Sequence, residues 1–475
     1  MKEELPFEED FDEDSQGSLS CKEEILCDET EKEAQDAKVR TNLFRLISIG
    51  NATGQSFLFN FFSAFAVQAG IQTEALGFMT SIRNLMSSIF QGTIGRLSDK
   101  IGRRYILLVG FFLGFSTMIV LVFLHQPYML IIVSVIQAFS LSLIIPVWNA
   151  TLGDVTKIRE RAGYMGKLSA LGTAVSVSSM LILATIFEVT KDKVDWGFSI
   201  GNLVFTEWEM QYGVAFLVAG FNFLLCIVGV FFLKETRANQ GKKVQPKMWV
   251  ALKDKTFTKY FIINSIFGLI MSTMWPIFPI AQIKILEMDF FEIAIINATF
   301  TICSSLAQFL GGRLGDRIGR KPLIIFGRVS MFTIPIVMIS SVFMGDWRML
   351  LLSNIIGGTA MGAVTVAHNA YLLDIAPSDQ MGAYSGLNQL GWGVMTFIGS
   401  LSFGFIAAKV ETNVGTIKMV IILFSIIAVI RFLASMGFFF MDESLTKERR
   451  LEILQETKDE STVVYSCTDD QSQTK

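Results

Sequence analysis

Gly95-Arg96-Leu97-Ser98-Asp99-Lys100-Ile101-Gly102-Arg103-Arg104 lies between two long apolar runs. It holds five charges and two glycines in a connection too short to be a domain. Gly312-Arg313-Leu314-Gly315-Asp316-Arg317-Ile318-Gly319-Arg320-Lys321 repeats it 217 residues later, with seven of ten positions identical. Lys100/Arg317 and Arg104/Lys321 keep their sign. A repeat at that distance divides the chain into two related halves, each far longer than a solenoid unit. Neither copy reads G-x-x-x-x-G-K-[ST] or follows a strand, which argues against a phosphate-binding loop.

Outward from the loops, the 475 residues are 51% hydrophobic and 17% charged, with mean hydropathy +0.49. The apolar residues fall into blocks of the length, about 20 residues, that crosses a hydrocarbon core as a helix. Twelve such segments are expected, at approximately 43–69, 73–95, 105–125, 127–151, 162–187, 211–233, 258–282, 288–311, 322–344, 347–372, 382–408 and 414–440. The expected fold is therefore an all-α membrane protein of twelve transmembrane helices in two six-helix pseudo-symmetric halves. The first half spans 43–233 and the second 258–440, joined by a charged linker at 234–257. Residues 1–42 are expected to be an acidic, disordered tail, since positions 1–37 hold fifteen Asp/Glu against three Lys. Residues 441–475 form a polar tail. The acidic start has no apolar core of a signal peptide. Five unpaired-looking cysteines suggest neither a disulfide framework nor a metal site.

Lys and Arg favour one side of this layout. Connections on the side of the repeated loops carry 25, and those on the other side carry 6. By the positive-inside rule the loops, the linker and both termini are cytoplasmic. Membrane topology explains the basic linker without nucleic acid. Three Asn-Ala-Thr triplets, at Asn51, Asn149 and Asn297, fall within spans, out of reach of glycosylation.

The duplication extends past the loops. Gln91 matches Gln308 at the same offset; at 220 residues Trp148-Asn149-Ala150 matches His368-Asn369-Ala370, and Asp154 matches Asp374. Six plus six spans in parallel halves is the build of an alternating-access transporter.

The two G-x-L-x-D-x-x-G-R-[RK] copies, placed after segments two and eight, make residues 41–444 resemble the major facilitator superfamily. The resemblance implies that Asp99 faces the start of segment eleven and Arg103 pairs with Asp154, with Asp316, Arg320 and Asp374 repeating this in the second half. It implies that this charge network holds the outward-facing state and breaks when the cytoplasmic side opens. The loop motif itself comprises Gly95, Arg96, Gly102, Arg104, Gly312, Arg313, Gly319 and Lys321. Proton-driven drug antiporters of the family carry an Arg in span four and a Gly-Pro motif in span five. Here those regions read Ser134-Val135-Ile136-Gln137-Ala138 and Leu171-Gly172-Thr173-Ala174-Val175, which puts drug/proton antiport in doubt.

Ionisable groups at membrane depth are costly and mark function. No Asp or Glu falls near the middle of a segment. Arg83 lies twelve residues before Gly95, roughly 18 Å along a helix and near the midplane. Lys167 and Arg431 are placed to snorkel to the interface. Gln55, Asn60, Asn84, His368, Asn369, Asn388, Gln389 and Trp392 are candidates to line a central cavity with Arg83; packing between helices explains most of them equally well. Trp275-Pro276 and Pro279 predict a kink in segment seven.

The expected function is a transporter, not an enzyme, moving a small solute by rocking two halves. The protein needs no cofactor or metal, acts as a monomer, and sits as a multi-pass protein in the plasma or inner membrane. Its partners are the lipid bilayer and a small-molecule substrate. An organic anion, a neutral solute and a drug remain open as substrates. A non-transporting sensor on the same fold remains open beside them.

Overall fold

The computed structural model describes residues 14–123, 126–156, 161–194, 196–200, 203–233, 235, 248–377 and 380–444. Twelve helical rods coincide with the twelve apolar segments. They are α1 (Asp14–Gln68), α2 (Thr73–Ile101), α3 (Arg103–Phe123), α4 (Pro127–Val155), α5 (Arg161–Thr190) and α6 (Glu207–Phe232), followed by α7 (Lys255–Ser272), α8 (Phe290–Ile318), α9 (Arg320–Met344), α10 (Met349–Ile375), α11 (Met381–Val414) and α12 (Thr416–Met436). Among the described residues nine are individually long and apolar enough to cross a membrane. The other three are α1 and α2, diluted by Asn, Gln, Ser and Arg83, and α7, which stops after 18 residues.

That stop is the predicted kink. After Ser272 the chain makes a turn through Trp275-Pro276, resumes at Phe278–Ile280 and continues as a wide turn at Ala281–Ile285. Prolines 276 and 279 cannot donate backbone hydrogen bonds, so the helix cannot run through. Local sequence sets other helix starts. Asp254 accepts from the Thr256 and Phe257 amides at the start of α7, and Asp289 and Glu292 form a reciprocal capping box for α8.

Two features depart from the sequence reading. A short antiparallel hairpin, β1 (Phe198–Ile200) with β2 (Leu203–Phe205), occupies the connection before α6. The backbone is also helical from Asp14, where a disordered tail was expected. Residues 22–40 are rich in Glu, Lys, Ala and Gln, residues of high helix propensity that need no buried face to form a helix. The linker positions 236–247 and the tail beyond 444 lie outside the described residues.

Within the first six helices, α1 packs on α5 and α6, α4 packs on α2 and α3, and α3 packs on α6. The last six repeat this pairing with every number raised by six: α7 on α11 and α12, α10 on α8 and α9, α9 on α12. Two extensive pairings join the sets, α2 with α11 and α5 with α8, and these are also equivalents of each other. In the α2–α11 seam backbones touch: a Cβ on Gly77 would meet the Gly404 Cα at 2.8 Å. Such close approach of small residues is how helices associate without a hydrophobic driving force between them.

Candidate functional site

The repeated loops owe their shape to their second glycines. Gly102 and Gly319 end α2 and α8 at φ 109° and 103°, a region that side chains rarely adopt, and each amide closes the preceding helix onto a carbonyl four residues back. The next helix then starts with exposed N–H groups. In both halves a glutamate just beyond the last helix meets them. Glu235 accepts from the Arg103 and Arg104 amides at 3.0 and 3.3 Å; Glu443 accepts from the Arg320 and Lys321 amides at 3.0 and 3.1 Å. A carboxylate at a helix N-terminus gains from both the N–H groups and the dipole. Sequence reading missed this pair. The signal was present as Lys234-Glu235-Thr236 against Asp442-Glu443-Ser444, acid followed by hydroxyl after the sixth and twelfth spans.

The expected charge network lies around these capped starts. Arg103 forms an ion pair with Asp154. Arg320 reaches Asp374 at 3.3 Å and Asp316 at 2.7 Å, and the Ser444 hydroxyl donates to Asp374. Each pair stays within one six-helix set: Arg103–Asp154 joins α3 with α4, Arg320–Asp374 joins α9 with α10, and Arg320–Asp316 joins α9 with α8. Arg104 lies over the Phe231 ring and donates to its carbonyl, and Arg313 lies over Phe309. The side chains of Arg96 and Asp99 are outside the described residues, and so is the expected Asp99 contact with α11.

At the far end of the bundle from the loops, the two sets are closed on each other. The Phe290 ring of α8 stacks on Phe61 of α1 at 4.3 Å and meets Phe187 and Tyr212 edge-on. Glu411 of α11 accepts from Thr73 at 2.6 Å and pairs with Lys284. Toward the loop side, by contrast, Gly163 and Gly166 of α5 and Gly382 of α11 have nothing within 4 Å of a built Cβ.

Between these ends a cavity of about 340 Å³ is lined by both halves. Its walls are Phe59 and Asn60 of α1, Thr80 and Arg83 of α2, the broken segment around Trp275, Phe278 and Gln282, Asn297 and Phe300 of α8, Asn354 of α10 and Arg431 of α12. Arg83 lies over the Phe59 ring at 4.5 Å and has no hydrogen-bond partner among the described residues. Arg431, 2% exposed, donates to the Met271 and Met331 carbonyls, and its Nε has no partner. It is therefore folded into the bundle and does not snorkel. No carboxylate lines this cavity among the described residues.

The other cavity candidates are placed differently. Gln55 donates to Asn51 and Asn84 to the Thr80 carbonyl, so both are satisfied by the preceding turn of their own helices. Asn369 is exposed, and Gln389 is half-buried away from the cavity walls. His368 and Asn388 belong to a buried chain inside the second half that begins at a residue sequence reading missed. Arg328 of α9, 4% exposed, donates to Asn264 Oδ1 at 2.9 Å and is surrounded by the rings of Phe267, Trp392 and Phe438. Asn264 donates to Asn388 Oδ1, and Asn388 meets His368 Nε2 at 3.2 Å. His368 Nδ1 meets the Tyr260 hydroxyl. A guanidinium can only donate, so the direction of every bond follows from it: Asn388 donates to Nε2, and the imidazole is neutral with its proton on Nδ1. Arg328 was overlooked because it lies only seven residues past the charged loop.

Two related six-helix sets around a shared cavity, with repeated charged loops on one side, define a membrane carrier. The chain belongs to the Major Facilitator Superfamily, whose signature matches residues 46–280 and 260–458. It is a secondary transporter of small solutes that works by alternating access, not an enzyme. Among its relatives, an uncharacterised MFS-type transporter of Methanocaldococcus jannaschii is 22% identical over 368 residues, 74% of this chain and 87% of the relative. The multidrug resistance protein MdtG of Proteus mirabilis is 25% identical over 372 residues, 75% of this chain and 86% of MdtG. The crystal structure of the nucleoside transporter NupG superposes with a TM-score of 0.65 at 14% identity, covering 85% of this chain and 99% of NupG.

Proposed function

We propose that the protein carries an organic anion, with Arg83 as the group that receives its charge. The observation that carries this reading is a guanidinium on the wall of a cavity shared by both halves, with no hydrogen-bond partner and no carboxylate beside it among the described residues. A cation at the bilayer centre costs about 2.5–3.5 kcal/mol even on the mild insertion scale. Such a group needs water or a ligand that supplies the counter-charge, and Arg offers a bidentate fork suited to carboxylate or phosphate. The name of the MdtG relative raises drug export instead; uncompensated arginines in the cavity disfavour cationic drugs.

In this reading the protein is a monomer in the plasma or inner membrane with both termini cytoplasmic, supported by the Lys/Arg asymmetry. The rocking units are 43–233 and 258–440. The closed far end and the open space beside Gly163, Gly166 and Gly382 correspond to an inward-facing arrangement. Arg103–Asp154 and Arg320–Asp374 are both formed, so in this inward-facing reading they do not break when the cytoplasmic side opens, as the resemblance implied they would, but keep each half rigid and travel with it.

The test is flux into liposomes with Arg83→Gln and Arg83→Lys. Both variants should match the parent in detergent stability. Gln should abolish transport of organic anions and Lys should retain part of it. Intact anion transport by the Gln variant would refute the reading.

A further inference from the structure

We infer that the substrate is a divalent organic anion with an apolar body, held by Arg83 from one half and Arg431 from the other. This deepens the anion reading and rests on it. The two arginines come from α2 and α12, in different six-helix sets, and face the same cavity of about 340 Å³. Arg431 is held in place by two backbone carbonyls, which bind its two terminal nitrogens but do not match its charge. Its Nε, buried and unpartnered, is a free donor. Arg83 keeps all its donors free among the described residues. With no carboxylate on the cavity wall among the described residues, a monoanion leaves one positive charge buried and unmatched. A dianion matches both. Leaving a charge uncompensated in a desolvated site is the costly alternative.

The remaining walls describe the rest of the ligand. Phe59, Trp275, Phe278 and Phe300 supply aromatic surface, and Asn60 and Asn297 supply amides. The volume is at the small end of ligand cavities. A compact aromatic or aliphatic dicarboxylate, or a monosubstituted phosphate ester, fits this chemistry. A ligand that bridges the halves also ties occupancy to their relative position, since each half supplies one of its counter-charges.

The experiment uses the full-length protein in detergent and three aromatic probes of similar size: benzamide, benzoate and phthalate. Binding is read by thermal stabilisation and by titration calorimetry. Phthalate should bind about thirtyfold or more tighter than benzoate, the low end of what one partner of a buried charge pair is worth. Benzamide should not bind. Arg431→Gln should erase the preference for phthalate. Arg431→Lys keeps the charge and should keep the preference. Equal affinity for benzoate and phthalate in the parent would overturn the inference, whether or not the Gln variant folds, and leave the anion reading standing. A phthalate preference that survives Arg431→Gln would overturn the assignment of Arg431. Binding of benzamide as tightly as of both anions would overturn the anion reading itself.

Discussion

The two halves share a fold and differ in what fills equivalent positions of their cores. From the repeated loop, an offset of 217 residues aligns Gly110-Phe111 with Gly327-Arg328. From the paired glutamates, an offset of 208 aligns Phe223 with Arg431 and Gly229 with Gly437. In the first half Phe111 and Phe223 are fully buried, with ring centroids 6.2 Å apart. In the second half both positions are arginine. Arg83 has the reverse relation: its equivalent is Phe300, on the same cavity wall. One architecture thus accepts an aromatic ring or a guanidinium at matching sites. The exchange works only where the surroundings supply acceptors. Arg328 has Asn264 and three ring faces; Arg431 has two freed carbonyls, one beside the break after Ser272 and one at Met331, where a turn interrupts α9 between Ser330 and Thr333. The first half has no such break in α1 or α3.

The comparison predicts its own failure modes. The largest effect should come from Phe111→Arg, which puts a charge where Phe223 packs and no acceptor has been freed. An unpaired buried charge costs about 3–5 kcal/mol. The variant should lose the monodisperse peak on detergent size-exclusion chromatography; a normal peak would show that the halves are interchangeable here. Arg328→Met should be milder. It removes a desolvated charge but leaves Asn264 Oδ1 without its donor, for a loss of about 1–3 kcal/mol by thermal unfolding. Anion flux should persist in that variant, because Arg328 does not line the cavity. The smallest effect concerns the caps. Glu443→Ala should cost about 1–2 kcal/mol and Glu235→Ala about 0.5–1 kcal/mol. The difference follows from the half-buried amides under Glu443 and the exposed ones under Glu235. Equal shifts in unfolding temperature would mean that burial does not separate them.

Much of the fold was legible because its signals are periodic or repeated. A decapeptide that recurs, apolar runs of bilayer length and a lopsided Lys/Arg distribution each constrain the answer independently. Arg83 could be singled out because it stands alone within an apolar run and is absent from the matching helix. Helix facing was not legible to the same degree. Asn388 and Trp392 stand four residues apart on α11, and both turn into the second half, toward His368 and Arg328, not into the cavity. A sequence with apolar residues all round its helices gives no face to choose, since lipid and protein interior are equally apolar. Arg431 was misread for a related reason. Nearness to the membrane surface suggested snorkelling, and the acceptors that retain it, the Met271 and Met331 carbonyls, exist only because two other helices are broken.

The unmatched arginines of the cavity also give the carrier an electrical character. If the dianion proposal holds, the empty cavity carries the two positive charges of Arg83 and Arg431, and a bound divalent anion cancels them. A transmembrane voltage does about 2.3 kcal/mol of work per elementary charge per 100 mV for a full crossing, and proportionally less for a partial one. On that proposal the voltage acts more strongly on the return of the empty carrier than on delivery of the loaded one, in which only Arg328 keeps an uncancelled buried charge. Net current accompanies the reset, and membrane potential sets how quickly each cycle can begin again.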